Sequence, residues 1–358
     1  MQYGRTTFSK FIIEEQRRMA EPDPQLTALL NDIQTACKFI ALAVSRGALQ
    51  TAAGNEATTN VHGETQRPLA VISNDIMLRS CEWGGQLCGM ASEEMEAPYQ
   101  IPAQYPRGRY LLVFDPLDGS SNLDVDVTVG TIFSVLRAPD GVSEPKSEDF
   151  LQRGACQICA GYALYGPSAM LVVTMGHGVH GFTLDPEIGA FTLTHPMMRI
   201  PDEAREFAIN TSNARFWEPP VQRYVDECVK GSSGSRGADF NMRWIASLVA
   251  EVHRILVRGG LFLHPQDTKD PRTAGRLQLL YEANPIALLI EQANGRASTG
   301  RSRLLEVVPS DMHQRIPVIL GSKNEVERIE RYYREYDAGE DREFASPLFN
   351  VRSLFRAA

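Results

Sequence analysis

Two aspartates three positions apart, Asp115 and Asp118, have the residue type and spacing that metal-assisted phosphate chemistry requires. They lie in the octet DPLDGSSN at 115–122. Carboxylates on either side of a proline-fixed turn can hold hard divalent cations, and the turn can offer the carbonyl oxygen of Leu117 as another ligand. The glycine that follows lacks a side chain, so the amides of residues 119–121 can approach a phosphate, especially if they open a helix. The alternative is a plain surface turn, because these residue types are common in turns.

Acids elsewhere in the sequence could share the same cation. Glu93 and Glu94 come shortly before the octet, and Glu282 lies inside the apolar segment LLYEANP. Adjacent glutamates usually form a solvated face, but an acid in an apolar run is rarely buried without a partner. A divalent cation held by Glu93, Asp115, Asp118 and Glu282 would supply that partner. Two or more such ions can support an in-line displacement at phosphorus, so the pattern predicts phosphate-ester hydrolysis.

The elements that must position these acids can be read from hydrophobic periodicity. The run YLLVF at 110–114 predicts a buried strand, and we expect Asp115 and Pro116 to end it. Apolar residues at helical spacing predict helices over 25–44 and 69–80. Further strands are predicted at 131–136, 170–175 and 191–194. The first half is therefore a mixed α/β structure.

The pattern restarts after about residue 201. It predicts a helix over 219–229, a Gly/Ser linker at 231–237 and a second helix over 242–257. We place a boundary near residue 198, which separates an α/β domain over 1–198 from a second α/β domain over 199–335. The last segment, 336–358, has no strong period and is interpreted as a tail.

Composition excludes several classes of function. A formal net charge of −8 and a pI near 5.5 provide no basic field for nucleic acid or an anionic membrane. No segment has the pattern of a signal peptide, and no apolar run approaches the roughly 20 residues of a membrane helix. Six scattered cysteines favour reduced thiols and a cytoplasmic setting. The pair Cys156 and Cys159 has CxxC spacing, but without a second pair it is a weak redox or zinc signal.

From Phe8 to Tyr333 the sequence resembles class I fructose-1,6-bisphosphatase of the bacterial type. The matching segments are SEE at 92–94, FDPLDGSSN at 114–122, VGTIF at 129–133, AGYALYG at 160–166, VHR at 252–254, LLYEANP at 279–285 and HQRIPVILGS at 313–322. The resemblance implies an α/β sugar-phosphatase fold with alternating helix, sheet, helix, sheet and helix layers and two mixed sheets. It also implies Mg²⁺, or Mn²⁺, with at least two ions per subunit.

The resemblance also implies roles for particular residues. Glu94 would be the base that helps to form hydroxide, with Glu93 and Asp118 as further catalytic residues. The implied metal ligands are Glu93, Asp115, the Leu117 carbonyl, Asp118 and Glu282. The implied substrate positions are Asp118, Gly119, Ser120, Ser121, Asn210, Arg243, Trp244, Phe262, Leu263, His264 and Arg276. Arg243 would reach a phosphate across a subunit boundary, which implies a homotetramer acting on the 1-phosphate of fructose 1,6-bisphosphate in gluconeogenesis or the Calvin cycle.

Several positions depart from the family pattern. Ala70 replaces an aspartate that supports the base, and Glu64 replaces an aspartate of the metal loop. Asn213, Trp244 and His264 stand where tyrosines are usual, and Arg276 stands for lysine. Arginine still binds phosphate, so the charge is kept while the sugar preference is open.

The regulatory AMP site of the animal enzymes is also altered. Residues 20–24 read Ala-Glu-Pro-Asp-Pro in place of a Gly/Thr-rich turn, while Arg109, Tyr110 and Arg137 match the rest of that site. Two acids would repel a nucleotide phosphate, so we expect weak or absent inhibition by AMP. The cysteine-bearing insertion of the chloroplast form is missing, and we expect no light-type redox control.

Three alternatives remain open. Inositol monophosphatase shares the acidic motif but adds a late Trp-Asp pair, which this sequence lacks. A bifunctional enzyme could also accept sedoheptulose 1,7-bisphosphate, and a non-catalytic regulator could bind sugar phosphate without turnover. His253 lies on an apolar-periodic helix, and we interpret it as a packed histidine rather than a general base.

Overall fold

The structure, a computed structural model, describes residues 5–18, 22–47, 58–59, 65–66, 68–269 and 274–340. Within these ranges the helices are α1 Phe8–Arg18, α2 Pro24–Ser45, α3 Pro68–Cys81, α4 Ser147–Phe150, α5 Pro219–Lys230, α6 Leu248–Arg258, α7 Asn284–Gln292 and α8 Lys323–Asp337. The strands are β1 Thr58–Thr59, β2 Thr65–Gln66, β3 Leu87–Ser92, β4 Tyr99–Gln100, β5 Tyr110–Asp118, β6 Val129–Arg137, β7 Cys159–Tyr165, β8 Ala169–Thr174, β9 Val179–Asp185, β10 Ala190–Met198, β11 Glu206–Ile209, β12 Asn241–Met242, β13 Leu261–His264, β14 Leu277–Gln278, β15 Arg296–Ser298, β16 Arg315–Ile316 and β17 Val318–Gly321.

Two mixed sheets are stacked with helices between and outside them. The first sheet has the order β10-β9-β8-β7-β6-β5-β3-β4 and is antiparallel except where β3 and β5 run parallel. The second has the order β12-β11-β13-β17-β15, with β11 parallel to both β12 and β13. Short pairs also form between β1 and β2 and between β14 and β16.

Four apolar clusters hold these layers together, and three of them contain the long helices. Helices α1, α2 and α3 pack on the outer face of the first sheet. Helices α6 and α7 fill the space between the two sheets, and α5 and α8 cover the outer face of the second. Burial of alternating strand residues against each helix layer is the main stabilising term. The order helix, sheet, helix, sheet, helix confirms the expected α/β layering.

Most predicted elements are confirmed, with small changes at their ends. Helix α2 begins where Asp23 accepts a hydrogen bond from the amide of Gln25 at 2.9 Å and Pro24 occupies the first turn, as the sequence signals predict. Helix α3 and strands β6 and β8 also form at their predicted positions. Helix α8 continues to Asp337, so the tail predicted from residue 336 begins inside its last turn. Residues 341–358 lie outside the described ranges.

The expectation that the octet's first two residues end the strand was wrong. Strand β5 continues through Pro116 to Asp118, with an irregularity in its pairing to β6 between Asp115 and Asp118. Proline is tolerated at such a bulge because it needs no ladder hydrogen bond there. The hydroxyl of Thr131 donates to the carbonyl oxygen of Pro116 at 2.9 Å. The bulge therefore keeps both aspartates on a buried strand.

The helix predicted over 242–257 starts later than expected, at Leu248. Met242 belongs to edge strand β12, and Ala246 takes a left-handed backbone conformation with φ 62°. The Glu251 carboxylate accepts a hydrogen bond from the amide of Ile245 at 2.6 Å, which holds the preceding chain outside the helix. Apolar periodicity gives no signal for a helix side chain that hydrogen-bonds the backbone just before the helix.

Candidate metal and phosphate site

Parallel pairing of two strands brings the first pair of acids together. Residue Ser92 of β3 lies beside Phe114 of β5, and the amide of Glu93 donates to the Phe114 carbonyl oxygen at 3.1 Å. Because parallel strands end at the same edge of a sheet, Glu93 and Asp115 emerge side by side. The Asp115 carboxylate also accepts a hydrogen bond from the amide of Leu117 at 2.8 Å.

A helix start and a π-turn bring the other acids to the same place. Asp118 accepts hydrogen bonds from the amide of Val249 at 2.9 Å and from the hydroxyl of Ser247 at 3.3 Å, at the beginning of α6. Glu282 lies in a π-helical turn over Leu279–Ala283 that leads into α7, an irregularity often found at functional sites. Ligand oxygens of Asp115, Asp118 and Glu282 all lie within 4.8 Å of one another, and all three residues are buried.

Burial and mutual repulsion disfavour the charged forms of these acids. Burial, then repulsion from neighbouring carboxylates, raises the pKa of Asp115 and Glu282 well above its usual range, although Arg315 offsets part of the effect on Glu282. Burial, with Glu94 and Asp118 adding repulsion, raises the pKa of Glu93 to about 7. Burial also raises the pKa of Asp118 to about 6 despite its hydrogen bonds.

A cluster of hard oxygen donors whose charge is poorly neutralised by the chain fits a divalent cation. Asp115, Asp118 and Glu282 provide the donors, and Glu93 adjoins them. Leu117 lies between the two aspartates in β5 and is buried, and its carbonyl as a ligand remains a prediction.

A tight turn next to the carboxylates exposes backbone where a phosphate could approach. Gly119 has φ 75°, and a side chain there would place its Cβ 3.0 Å from Ser247. Both features favour glycine. Residues Ser120–Val125 then form one short 3₁₀ segment, and the side-chain amide of Asn122 donates to the Ala246 carbonyl oxygen at 2.8 Å. The loop is thereby fastened to the segment before α6, with residues 119–122 accessible to solvent.

The predicted base lies on the same loop as Glu93 but outside the tight cluster. The amide of Glu94 donates to the hydroxyl of Ser92 at 3.2 Å, and that hydroxyl donates to Asn74 at 2.7 Å. Ala70 is buried one helical turn before Asn74 in α3, on the same helix face. Its methyl group offers no hydrogen bond to this loop. Glu64 lies outside the described residues.

The predicted substrate residues gather at the carboxyl ends of three parallel strands. Asn210 follows β11, Arg243 and Trp244 follow β12, and His264 ends β13. The Trp244 ring is parallel to that of Phe262, with centroids 6.2 Å apart. Such switch points of parallel strands commonly bind ligands.

The predicted substrate residues differ in their burial and in the hydrogen bonds they already make. Burial, then the charge of Arg276, lowers the pKa of His264 to about 4, and its Nδ1 is buried with no hydrogen-bond partner among the described residues. Arg243 is exposed, and its Nε lies 3.4 Å from a Glu206 carboxylate oxygen. The Asn210 side chain caps the next turn by accepting from the Ser212 amide at 3.1 Å.

Leu263, a predicted substrate position, has its side chain in an apolar core. Its side chain packs in the core formed by the second sheet with α5 and α8, while the adjacent Phe262 faces the opposite core. Side chains alternate along a strand, so two neighbours cannot share one face. Only the backbone of Leu263 can face the predicted pocket.

Some residues that touch the acidic cluster have little or no signal in the sequence. Gln278 bonds both Glu93 and Glu282, and its place four residues before Glu282 was the only hint. Ser247 looked like part of a helix.

The interpretation of His253 as a packed histidine agrees with the structure. Its Nδ1 is hydrogen-bonded to the hydroxyl of Tyr162 at 2.8 Å, and burial lowers its pKa to about 4. All six cysteines are free thiols, so Cys156 and Cys159 form no disulfide.

The layered fold and the buried acids beside a glycine turn define a phosphatase. Residues 6–196 match the family model of the fructose-1-6-bisphosphatase N-terminal domain, and residues 200–334 match that of the C-terminal domain. The chain therefore belongs to the fructose-1,6-bisphosphatase family, which confirms the resemblance found in the sequence.

Similar proteins cover nearly the whole chain. A class 1 fructose-1,6-bisphosphatase of Methylacidiphilum infernorum is 60% identical over 356 residues, which is 99% of each protein. One from Hydrogenophilus thermoluteolus is 61% identical over 353 residues, covering 98% of this chain and 97% of that protein. The crystal structure of Leishmania major fructose-1,6-bisphosphatase in holo form superposes with a TM-score of 0.85 at 37% identity, covering 92% of this chain and 99% of that one. Within the part of this chain that the structure describes, no helix is both long and apolar enough to span a membrane.

Proposed function

We propose that this chain hydrolyses the 1-phosphate of fructose 1,6-bisphosphate to fructose 6-phosphate and phosphate, and that it requires Mg²⁺, with Mn²⁺ as a substitute. The observation that carries the proposal is the convergence of Asp115, Asp118 and Glu282 within 4.8 Å beside the Gly119 turn. The names of relatives with about 60% identity support the choice of sugar.

The chain's own residues would have distinct roles at the reacting phosphate. Cations, two or more per subunit, would polarise the phosphate and lower the pKa of the attacking water when bound. Asp118 and the backbone of residues 119–121 would hold the 1-phosphate in line with that water. Glu94 would accept the water's proton, and the bond from phosphorus to the sugar oxygen would break as that oxygen gains a proton.

The rest of the substrate would lie toward the ends of β11 and β13. Asn210, His264 and Arg276 would contact the sugar and its second phosphate, with Trp244 stacked on Phe262 as one wall. Arg276 would form charge-assisted hydrogen bonds to that phosphate.

The proposal includes an assembly and a setting. Arg243 is exposed at the end of β12 and would contact the second phosphate in a neighbouring subunit of a homotetramer. We propose a division into domains over 1–198 and 199–335, followed by the tail over 336–358. The protein would act in the cytoplasm, in gluconeogenesis or the Calvin cycle.

The second candidate function is a bifunctional phosphatase that also accepts sedoheptulose 1,7-bisphosphate. The changed sugar positions favour it, because Asn213, Trp244 and His264 stand where tyrosines are usual and could widen the pocket for an extra carbon. A non-catalytic regulator is a weaker candidate, because Asp115, Asp118 and Glu282 remain together.

The test is phosphate release from fructose 1,6-bisphosphate, sedoheptulose 1,7-bisphosphate and inositol phosphate while Mg²⁺ is titrated. We expect metal-dependent release from the first substrate and none from inositol phosphate. Equal turnover of both sugars would establish the bifunctional enzyme. Binding of sugar phosphates without any release in the presence of metal would establish the regulator and overturn the proposal.

A further inference from the structure

Gln278 connects two of the carboxylates in the acidic cluster. It is buried at the end of β14, directly before the π-turn that contains Glu282. Its side-chain Nε2 donates to a Glu93 carboxylate oxygen at 2.8 Å, and its main-chain amide donates to a Glu282 carboxylate oxygen at 2.6 Å. Glu93 and Glu282 come from distant parts of the chain, and this one residue bonds both.

A second residue, His313, contacts the side-chain amide of Gln278. The Nδ1 atom of His313 lies 3.0 Å from Oε1 of Gln278, and its Nε2 lies 3.1 Å from the Met95 carbonyl oxygen. Both partners are acceptors, so the neutral ring donates to one of them and only the imidazolium donates to both. The imidazole ring also packs against Tyr281, with centroids 5.3 Å apart. Because Met95 follows Glu93 by two residues, His313 lies between the Gln278 side chain and the Glu93 loop, and its Nδ1–H tautomer donates to Gln278.

A neutral amide in this position has a specific consequence. Glu93, Asp118 and Glu282 repel one another, so the acids would tend to turn apart in the absence of a cation. Gln278 binds one oxygen of Glu93 without neutralising its charge, which leaves the other oxygen and the full negative charge for a metal. An arginine or lysine there would orient the carboxylate but compete with the cation.

We propose that Gln278, held in place by His313, is a positioning residue that orders Glu93 and Glu282 for divalent-cation binding. The inference rests on the proposed metal-dependent function. Residues that orient metal ligands by hydrogen bonding typically change metal affinity by roughly 10- to 100-fold when they are removed. The main-chain bond to Glu282 survives substitution, so a side-chain variant tests the Glu93 half of the arrangement.

The test is calorimetric titration of the metal-free full-length chain with Mn²⁺ in the absence of substrate. Gln278→Met keeps the length of the side chain but removes its amide, and we expect a roughly 10- to 100-fold rise in the Mn²⁺ dissociation constant. At saturating Mn²⁺ we expect kcat to recover to near the wild-type value, because the variant impairs the ordering of the ligands rather than the reacting groups.

Gln152→Met is the matched control. The Gln152 side chain also donates two hydrogen bonds, to the Arg137 and Asp149 carbonyl oxygens, at the end of β6 away from the acids. We expect it to leave Mn²⁺ affinity unchanged. Equal affinities for the two variants would overturn the proposal.

Variants of His313 keep the proposal testable if Gln278→Met does not fold. We expect His313→Leu to weaken Mn²⁺ binding and His313→Gln to restore it, because a glutamine amide can still donate to Gln278 Oε1. Wild-type affinity in His313→Leu would contradict the positioning role. If the wild type binds Mn²⁺ but releases no phosphate from any substrate, the proposed function fails while the affinity comparison still decides the role of Gln278. A wild type that binds no Mn²⁺ overturns both.

Discussion

Two regions of this molecule that contain buried carboxylates neutralise them differently. In the layer of α5 and α8, Glu325 bonds Arg236 at 2.6 Å and the Tyr224 hydroxyl at 2.7 Å. In the acidic cluster, Asp115, Asp118 and Glu282 face one another, and repulsion adds to burial in raising the pKa of Asp115 and Glu282. A charge that the chain pairs internally serves the fold. A group of buried charges that the chain leaves mutually repelling indicates a cation from outside.

Other acids of the helix layer follow the same rule. The Tyr332 hydroxyl donates to Glu227 at 2.6 Å, and Arg296 donates to Glu330 at 3.0 Å. The comparison therefore separates structural from functional carboxylates by their partners, although both kinds are buried. Removing a charge from one region should therefore change a property that depends little on the other region.

The largest effect is expected for Asp118→Asn. The substitution keeps the acceptor for the Val249 amide but removes the charge of a proposed metal ligand at the proposed phosphate site. Loss of several kcal/mol of transition-state stabilisation, at about 1.4 kcal/mol per factor of ten, lowers kcat roughly a thousandfold or more. The metal-free variant should melt at or above the wild-type temperature, because a repelling charge is gone. Retained turnover at saturating Mg²⁺ would contradict the assignment of Asp118.

The matched change in the helix layer is Glu325→Gln. It leaves the buried Arg236 guanidinium without a counter-charge, and breaking a buried pair costs about 3 kcal/mol or more. Urea unfolding should show this loss in the free energy of unfolding, while kcat per folded molecule stays at the wild-type value. A stability change below about 0.5 kcal/mol, the usual range for surface substitutions, would break the distinction between the two regions.

The sequence predicted the layers better than the contacts within them. Helices α2 and α3 follow from apolar periodicity, because burial of one face dictates that period. Strands β6 and β8 follow from continuous apolar runs, because both of their faces are buried. The predicted end of strand β5 came too early, because a bulge that accommodates proline leaves no periodic signal.

The site was predictable where local chemistry is distinctive, as at Asp115, Asp118 and Gly119. The meeting of Glu93 with Asp115 depends on parallel pairing between distant strands, which no local pattern encodes. Gln278 was missed for the same reason, since its partner Glu93 is far away in the chain.

The pH dependence should have opposite signs for stability and for metal affinity. Burial raises the pKa of Asp118 to about 6 and that of Glu93 to about 7, both above ordinary unfolded-state values near 4. The folded, metal-free protein therefore binds more protons than the unfolded chain between about pH 4 and 7, and its stability falls as pH rises through that window.

Metal affinity should rise over the same window, because protons and cations compete for these carboxylates. The rise is up to about tenfold per pH unit for each proton displaced. Melting of the metal-free protein and Mn²⁺ titration, each from pH 5 to 8, measure the two trends. Affinity that is independent of pH would place the metal elsewhere. Glu325→Gln should leave the slope of the affinity curve unchanged.

The smallest effect on the rate is expected for added AMP. The acid at the predicted AMP site, Asp23, is paired with residues of the chain, as Glu325 is. Asp23 bonds Arg109 at 2.6 Å and accepts from the Tyr110 hydroxyl; burial alone would raise its pKa, but these hydrogen bonds outweigh it and lower the pKa. The Arg109 guanidinium is therefore occupied by the chain's own carboxylate, and excess AMP should not change the wild-type rate. Asp23→Asn keeps the cap of α2 while removing that charge, and should make the rate measurably more sensitive to AMP. Strong AMP inhibition of the wild type, unchanged in Asp23→Asn, would show that internal pairing does not block anion binding here.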